Sequence, residues 1–215
     1  MLSRKLLDET RSELAPLNKS VLNHPLLADA ESGRLPLDSV KLFVENQLYI
    51  VHHDIRSLAV MAAKTNSYDE ASYFTKLQNG DAQAFTLLLK MAEELNIKDV
   101  SNPRISPDAV AYTHYLAWLA LYANPGEQAF ALIVNLPVWG AACGRLAKAL
   151  KQSYAVKNVD FLEFFSETPA WVEEEGLGIV EKYLTSPHNR FKTIAKTIQR
   201  YESMFWDAVH RGEHL

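Results

Sequence analysis

The sequence has little cysteine and no long uninterrupted apolar run. Its one cysteine, Cys143, excludes an intramolecular disulfide and a zinc site built from several cysteines, and this usage is typical of a reducing compartment. A membrane span needs about 20 consecutive, predominantly apolar residues, and no stretch approaches that length. The opening residues, MLSRKLLDETRSEL, scatter charges among apolar residues and therefore lack a signal-peptide core. We expect a cytoplasmic protein without a membrane partner.

The sequence also lacks an excess of positive charge. Its 215 residues include 22 basic and 26 acidic ones, which gives a formal net charge of −4. A nucleic-acid partner would require a basic patch or stripe, so we expect none. No linker, low-complexity tract or internal repeat divides the chain. We therefore expect one domain over residues 1–215.

Strand signals are missing as well, because no stretch combines period-two alternation with hairpin turns. Apolar residues instead recur at three and four positions, which predicts an all-α fold. Ser106-Pro107 and Asn124-Pro125 each combine a helix-capping residue with proline at the first helical position. The expected helices run from 3 to 15, ending near Pro16; from Pro25 to Gly33; from Asp38 to about Thr65; from Asp69 to Asn96; twice within Ser106 to Gly144; from Val159 to Ser166; from Thr168-Pro169 to about Leu184; and from Ser186-Pro187 onward.

Five polar residues interrupt the apolar faces of these helices: Gln47, Asp54, Tyr112, Asn135 and Glu202. A buried amide or carboxylate needs hydrogen-bond partners. Each amide could simply be a satisfied core group, and Glu202 could belong to a structural ion pair. The functional alternative for Glu202 is a general acid or base whose pKa is raised by burial.

Some of the acidic and histidine side chains could instead form a metal site. His52, His53 and Asp54 are consecutive, and Glu45 lies two helical turns before His52. A di-iron bundle needs Glu-x-x-His pairs on two helices, and no such pair occurs. We therefore predict no metal and no other cofactor.

The chain resembles a known family, the TenA, thiaminase II and PqqC-like proteins, which have the haem-oxygenase-like all-helical fold. The resemblance covers most of the sequence through short fragments in the same order and spacing. These are HPL at 24–26, GRLPLD at 33–38, FVENQ at 43–47, SP at 106–107, AYT at 111–113 and ESMFW at 202–206.

The resemblance implies a set of site residues. The thiaminase branch cleaves or deaminates thiamin-type aminopyrimidines with a cysteine nucleophile, an acid/base glutamate, an aspartate that holds the pyrimidine and several tyrosines. The glutamate corresponds to Glu202, the ligand-side tyrosine to Tyr112 and the nucleophile to Asn135. At the position of the family's aspartate this sequence has Gln47. At three positions where the family has tyrosines it has Ile50, Trp139 and Phe165.

These departures change the expected chemistry. Asn135 has no thiolate, so it cannot act as the covalent nucleophile. Cys143 lies eight residues further on, about 12 Å along a helix, and is a poor substitute. Gln47 removes the charge that would hold a protonatable pyrimidine edge and leaves an amide that both donates and accepts hydrogen bonds.

The sequence thus predicts a divergent family member with a central pocket for a small planar polar metabolite, formed by Gln47, Asp54, Tyr112, Asn135, Trp139 and Glu202, with Ile50 and Phe165 also lining it. Three alternatives stay open: a thiamin or aminopyrimidine hydrolase with a modified mechanism, a PqqC-like or di-iron oxidase, and a non-catalytic regulatory or interaction protein. A pocket closed by Trp139 and Phe165 would favour the last of these. Whether the chain is an enzyme stays open too. The resemblance also implies a homodimer or homotetramer.

Overall fold

The structure, a computed structural model, describes residues 1–184 and 189–215. These residues form helices and no strands, with 81% of them helical, so the predicted all-α class is confirmed. The expected start of the last helix at Ser186-Pro187 lies outside the described residues. The helices are α1 Leu2–Leu22, α2 Pro25–Glu31, α3 Leu37–Ala63, α4 Tyr68–Glu94, α5 Pro107–Tyr122, α6 Pro125–Ser153, α7 Asp160–Phe165, α8 Ala170–Tyr183 and α9 Asn189–Arg211.

The two helix starts predicted from a capping residue followed by proline are confirmed. Helix α5 begins after Ser106, with Pro107 at its first position. Helix α6 begins after Asn124, whose side chain accepts a hydrogen bond from the Glu127 backbone N–H at 2.9 Å. The Glu127 carboxylate accepts from the Asn124 backbone N–H at 3.1 Å in return. This reciprocal capping box satisfies two of the N–H groups that a helix start leaves free.

Two expected boundaries are wrong. Helix α1 does not end near Pro16 but continues through it to Leu22. Pro16 is exposed, while Leu14 and Val21 on the same helix are buried, so core packing outweighs the loss of one backbone hydrogen bond. Asp38 is not the cap of α3, because the helix begins after Pro36 and the Asp38 carboxylate pairs with Arg104 instead.

The core consists of two groups of buried apolar side chains. One is built mainly around α3, α4, α6 and α9 and includes Phe43 and Trp206. The other combines α1, α5, α8 and further turns of α6 and α9, and includes Phe130 and Ile194. Tyr112, on α5, packs against both groups. The side chains of the candidate site lie at this junction.

Helix α7 approaches α6 closely at Gly140. A Cβ atom at this position would lie 2.2 Å from the backbone oxygen of Phe165, so only glycine allows the observed approach. The end of α7, with the Phe165 ring, is thereby held against α6.

Helix α6 is the one helix in the described ranges that is long and apolar enough to cross a membrane by length and composition alone. Of its most apolar stretch, 67% is buried inside the protein. That degree of burial is typical of a core helix, because apolar residues all around a helix also suit the interior of a protein.

Candidate functional site

A cavity of about 210 Å³ lies at the junction of the two core groups. It is walled by α3, α4, α5, α6 and α9 and by the segment from α7 to α8. The structure brings all eight residues singled out from the sequence to its wall: Gln47, Ile50, Asp54, Tyr112, Asn135, Trp139, Phe165 and Glu202.

A chain of hydrogen bonds runs through the cavity wall. The Tyr112 hydroxyl donates to Asn135 Oδ1 at 3.1 Å. Asn135 Nδ2 donates to Glu202 Oε2 and, at 2.7 Å, to Gln199 Oε1. The chain continues outward, because Gln199 Nε2 donates to Asn18 Oδ1 at 2.7 Å. Helices α5, α6, α9 and α1 are joined by this single path.

Asn135 is the centre of the network. Its amide has two N–H donors and one carbonyl oxygen, and all three take part in these hydrogen bonds. The side chain is 2% exposed. An amide in this arrangement holds Tyr112 and Glu202 in place, and it has no nucleophilic electron pair to attack a substrate.

Glu202 is buried at 3% exposure. Burial raises the pKa of its carboxyl from 4.5 to about 8, and the hydrogen bonds from Trp206 and Asn135 offset part of that rise. At pH 7 the group therefore holds a proton that it can give up and take back near neutrality.

Two more carboxyls titrate in unusual ranges at this cavity. Asp54 accepts a hydrogen bond from the Thr113 hydroxyl, and burial and the nearby charge of Asp81 raise its pKa well above the ordinary value. Burial raises the pKa of Asp81, also on the cavity wall, to about 7. The pKa of the Tyr112 hydroxyl is raised by burial and by all three carboxyls, so Tyr112 is a neutral hydrogen-bond donor.

Gln47 differs from the other polar residues of the wall. Its side chain is 4% exposed, and none of the hydrogen bonds within the described residues involves its amide. Ile50, one turn along α3, gives the neighbouring wall an apolar surface. The amide is therefore free to donate to and accept from a bound molecule.

Aromatic rings form another side of the cavity. Trp139 stacks on Phe43, with ring centroids 6.0 Å apart and planes 2° from parallel. It meets Phe205 edge to face at 5.6 Å and Phe165 at 6.3 Å. Trp139 and Phe165 line the cavity without filling it, and such rings suit the face of a flat ligand.

The other reactive side chains considered from the sequence lie elsewhere. Cys143 is fully buried, and burial, with a smaller effect of the Glu202 charge, raises the pKa of its thiol well above the ordinary value. His52 is exposed on α3, whereas Asp54 faces the cavity. Glu45 is buried and pairs with Arg104 at 2.6 Å. In the two described ranges no three His, Cys, Asp or Glu side chains are grouped to hold a metal.

Sequence reasoning missed several residues of the site. Asp81 is an acid among the apolar residues of α4, which is the same signal that identified Asp54. Gln199 and Asn18 gave no local signal, since they join the network through partners 64 and 181 positions away.

The described helices have the arrangement of the haem-oxygenase-like fold. A domain of unknown function with a heme oxygenase-like fold from Shewanella denitrificans OS217 matches 95% of this chain and 92% of its own, with a TM-score of 0.76 and 13% identity. The family model described as the TENA/THI-4/PQQC family matches residues 11–212. The chain therefore belongs to this family.

Solved structures of TenA proteins agree with that assignment. A TenA homologue from P. horikoshii OT3 is 21% identical and has a TM-score of 0.78, covering 96% of this chain and 98% of its own. A candidate TenA-like thiaminase from Sulfolobus solfataricus P2 is 18% identical and has a TM-score of 0.74, covering 95% of both chains. At these identities the likeness shows the fold. Comparison with curated protein sequences gave no match.

Proposed function

We propose that the protein binds a small planar polar metabolite in this cavity and does not use covalent thiaminase chemistry. The observation that carries the proposal is the contrast between Asn135, whose hydrogen bonds are all made within the protein, and Gln47, which lines the cavity and whose amide makes no hydrogen bond to another described residue. Asn135 therefore stabilises the cavity wall, and Gln47 is available to a ligand.

In this proposal the ligand packs against Trp139 and Phe165, whose planes meet at 70°, so it stacks on one ring and meets the other with its edge. Its polar edge points toward Gln47 and Glu202. Protonated Glu202 donates a hydrogen bond to an acceptor atom on the ligand, and Gln47 supplies one donor and one acceptor. Ile50 limits the ligand to a shape without a polar group at that point.

Binding can be tested with planar heteroaromatic probes such as 4-aminopyrimidine and nicotinamide, followed by saturation-transfer NMR. We expect binding to wild type and a loss of about tenfold or more in Glu202→Gln and Gln47→Leu, because each removes a hydrogen bond to the ligand. The matched control is Glu93→Gln, which changes an exposed residue on α4 and should bind as wild type does. Wild-type affinity in both cavity variants would contradict the proposal, and native mass spectrometry of the purified protein would detect a retained metabolite.

A second candidate function is supported by the raised pKa of Glu202, about 8. A carboxyl that exchanges a proton near neutrality could activate water directly, giving hydrolysis of thiamin or an aminopyrimidine without a covalent intermediate. Incubation of the purified protein with both compounds, followed by chromatography of the products, tests it. Turnover lost in Glu202→Gln and kept in Cys143→Ala would support direct hydrolysis, and the absence of any product would reject it.

The proposal also concerns the cellular compartment and the oligomeric state of the protein. We propose that the protein acts in the cytoplasm, on the basis of its single cysteine, and that it forms a homodimer or homotetramer, on the basis of family resemblance. Analytical ultracentrifugation measures the assembly, and a monomer at micromolar concentration would reject that part.

A further inference from the structure

One side of the cavity wall faces solvent. The lining residues on α3 and α9 are all buried, whereas the two lining residues that are exposed, Glu167 and Pro169, lie between α7 and α8. Helix α4 supplies three more residues of the wall, Leu77, Gly80 and Asp81, and all three are partly exposed. The side formed by α4 and the segment from α7 to α8 is therefore where a ligand has the shortest way in.

Polar contacts fasten this side at two places along α4. In the first half of the helix, the Lys76 ammonium pairs with the Glu175 carboxylate of α8 at 2.8 Å. At its end, the Glu94 carboxylate accepts hydrogen bonds from the backbone N–H groups of Lys157 at 2.8 Å and Asn158 at 2.6 Å, just before α7. Helix α4 is thus tied to α8 at one place and to the start of α7 at the other.

Between these two places, α4 meets the end of α7 through Gly80 and Phe164. A Cβ atom at Gly80 would lie 3.9 Å from the tip of the Phe164 ring, which is an ordinary van der Waals distance. Both residues line the cavity, and both are partly exposed. Glycine is less favourable than alanine inside a helix, and here it leaves the space beside the ring without a side chain.

The backbone that carries Phe164 is held in place. A Cβ atom at Gly140 would lie 2.2 Å from the Phe165 backbone oxygen, and one at Gly144 would lie 3.2 Å from the Ser166 side chain, so the end of α7 packs closely on α6. The Phe164 ring is the part with freedom to move, because it is partly exposed. Exposed side chains change rotamer within picoseconds to nanoseconds, far faster than helices move.

We propose that ligands enter the cavity between Phe164 and Gly80, and that these two residues select entering molecules by size. Rotation of the Phe164 ring opens a passage whose opposite edge is a residue without a side chain. A thin, flat molecule passes through it, and a bulkier one is retained outside. This inference goes beyond the proposed function, because it concerns access to the cavity and applies to any ligand bound there.

The passage can be tested with a reactive thiol inside the cavity and no ligand. The double variant Ile50→Cys/Cys143→Ala places the protein's one thiol on the cavity wall. Its rates of labelling by iodoacetamide, which is small, and by N-phenylmaleimide, which is bulkier, are measured by mass spectrometry. The ratio of the two rates, each divided by the rate with glutathione, cancels the ionised fraction of the thiol, on which both depend.

We expect the addition of Phe164→Ala to raise this ratio of N-phenylmaleimide to iodoacetamide labelling by about tenfold, because the bulkier reagent gains most from a wider passage. Gly80→Leu should lower it by about tenfold. Gly80→Ala should lower it by less, and it keeps the test valid if leucine disturbs the fold, since its Cβ fits at 3.9 Å from the ring. Urea unfolding checks that each variant is folded.

Two control variants separate this passage from other routes. Leu7→Ala, in the core beside α1 and away from the cavity wall, destabilises the protein and would speed labelling that requires global unfolding. Pro169→Gly loosens the segment before α8 and would speed labelling through that segment. We expect neither control to change the ratio.

An unchanged ratio in Phe164→Ala and both Gly80 variants would overturn the inference. A ratio raised by Pro169→Gly would place the entrance at the segment before α8, and one raised equally by Leu7→Ala and Phe164→Ala would assign labelling to unfolding; either result rejects the passage. These outcomes leave the proposed function untouched, because no ligand is used. Conversely, a failure of the planar probes to bind would reject the proposed function and leave the labelling result standing.

Discussion

At the scale of single residues, Asn135 and Glu202 show how position and role can separate. The resemblance of the sequence predicts that position 135 corresponds to a nucleophile, and the Asn135 side chain makes three hydrogen bonds, to Tyr112, Gln199 and Glu202. Glu202 keeps an acid/base character that follows from its burial alone. The residue type at position 135 therefore determines how the hydrogen bonds of the cavity wall are arranged. The raised pKa of Glu202 determines the pH range in which this wall can exchange a proton.

Replacing Asn135 with alanine should destabilise the protein by about 2 to 4 kcal/mol, because it leaves the Gln199 carbonyl and Glu202 Oε2 without a donor and the Tyr112 hydroxyl without an acceptor. Tyr112→Phe removes one hydrogen bond of the same network and should cost about 1 kcal/mol. Urea unfolding at pH 7 measures both. In the double variant, costs that simply add would show that the two side chains are not coupled, contrary to the hydrogen bond between them.

At the scale of helices, the sequence was a good guide wherever a boundary is set locally. Ser106-Pro107 and Asn124-Pro125 start helices because capping and proline geometry act within a few residues. The prediction that α1 ends near Pro16 was wrong because burial of the apolar face of α1, which depends on residues distant in the sequence, outweighs the local cost of a proline within the helix. The prediction that Asp38 caps α3 was wrong for a similar reason, since its partner Arg104 lies 66 residues away in the sequence.

The α6–α7 contact gives a prediction at this scale. Gly140→Ala should destabilise the protein by roughly 2 kcal/mol or more, because its Cβ would lie 2.2 Å from the Phe165 backbone oxygen and would push α7 away from the cavity. Gly178→Ala, on α8, is the matched control, since nothing lies within 4 Å of a Cβ there. The control should be neutral or stabilising by up to about 1 kcal/mol, given the helix propensity of alanine. Thermal and urea unfolding compare them, and equal effects of the two substitutions would contradict the close approach.

At the scale of the whole molecule, polar residues on the apolar faces predicted the cavity because α3, α5, α6 and α9 all turn those residues toward one junction. The periodic pattern placed Gln47, Tyr112 and Glu202 on inward faces, and the fold brought those faces together. The pattern could not give the distances between helices, so it could not predict that the hydrogen-bond network extends to Asn18.

The buried acids predict how the stability of the whole protein depends on pH. Glu202 and Asp81 have folded-state pKa values of about 8 and about 7, above their ordinary values of 4.5 and 3.8, and that of Asp54 is also raised. Between pH 5 and 8 these groups make the folded state bind more protons than the unfolded state, so the free energy of unfolding should fall as pH rises. His24 acts in the opposite direction below about pH 6.5, because burial lowers its pKa.

Glu202→Gln isolates one group, because glutamine resembles the protonated acid. The wild type should lose roughly 2 to 4 kcal/mol more than the variant between pH 5 and 8.5, on the basis of the shift in the pKa of Glu202. Urea unfolding at several pH values measures the difference. The control Glu93→Gln should follow the wild-type curve, and parallel curves for Glu202→Gln and wild type would contradict a raised pKa.

The missing partners of Gln47 also bear on how this protein could diverge. A side chain that holds nothing else in place can be exchanged one step at a time, so position 47 offers new ligand specificities at little cost to folding. Asn135 is the opposite case, because Tyr112, Gln199 and Glu202 would all need new partners at once. A functional cysteine at position 135 would therefore require several coordinated substitutions, so we expect substitutions in this cavity to change the bound ligand more readily than to introduce a nucleophile.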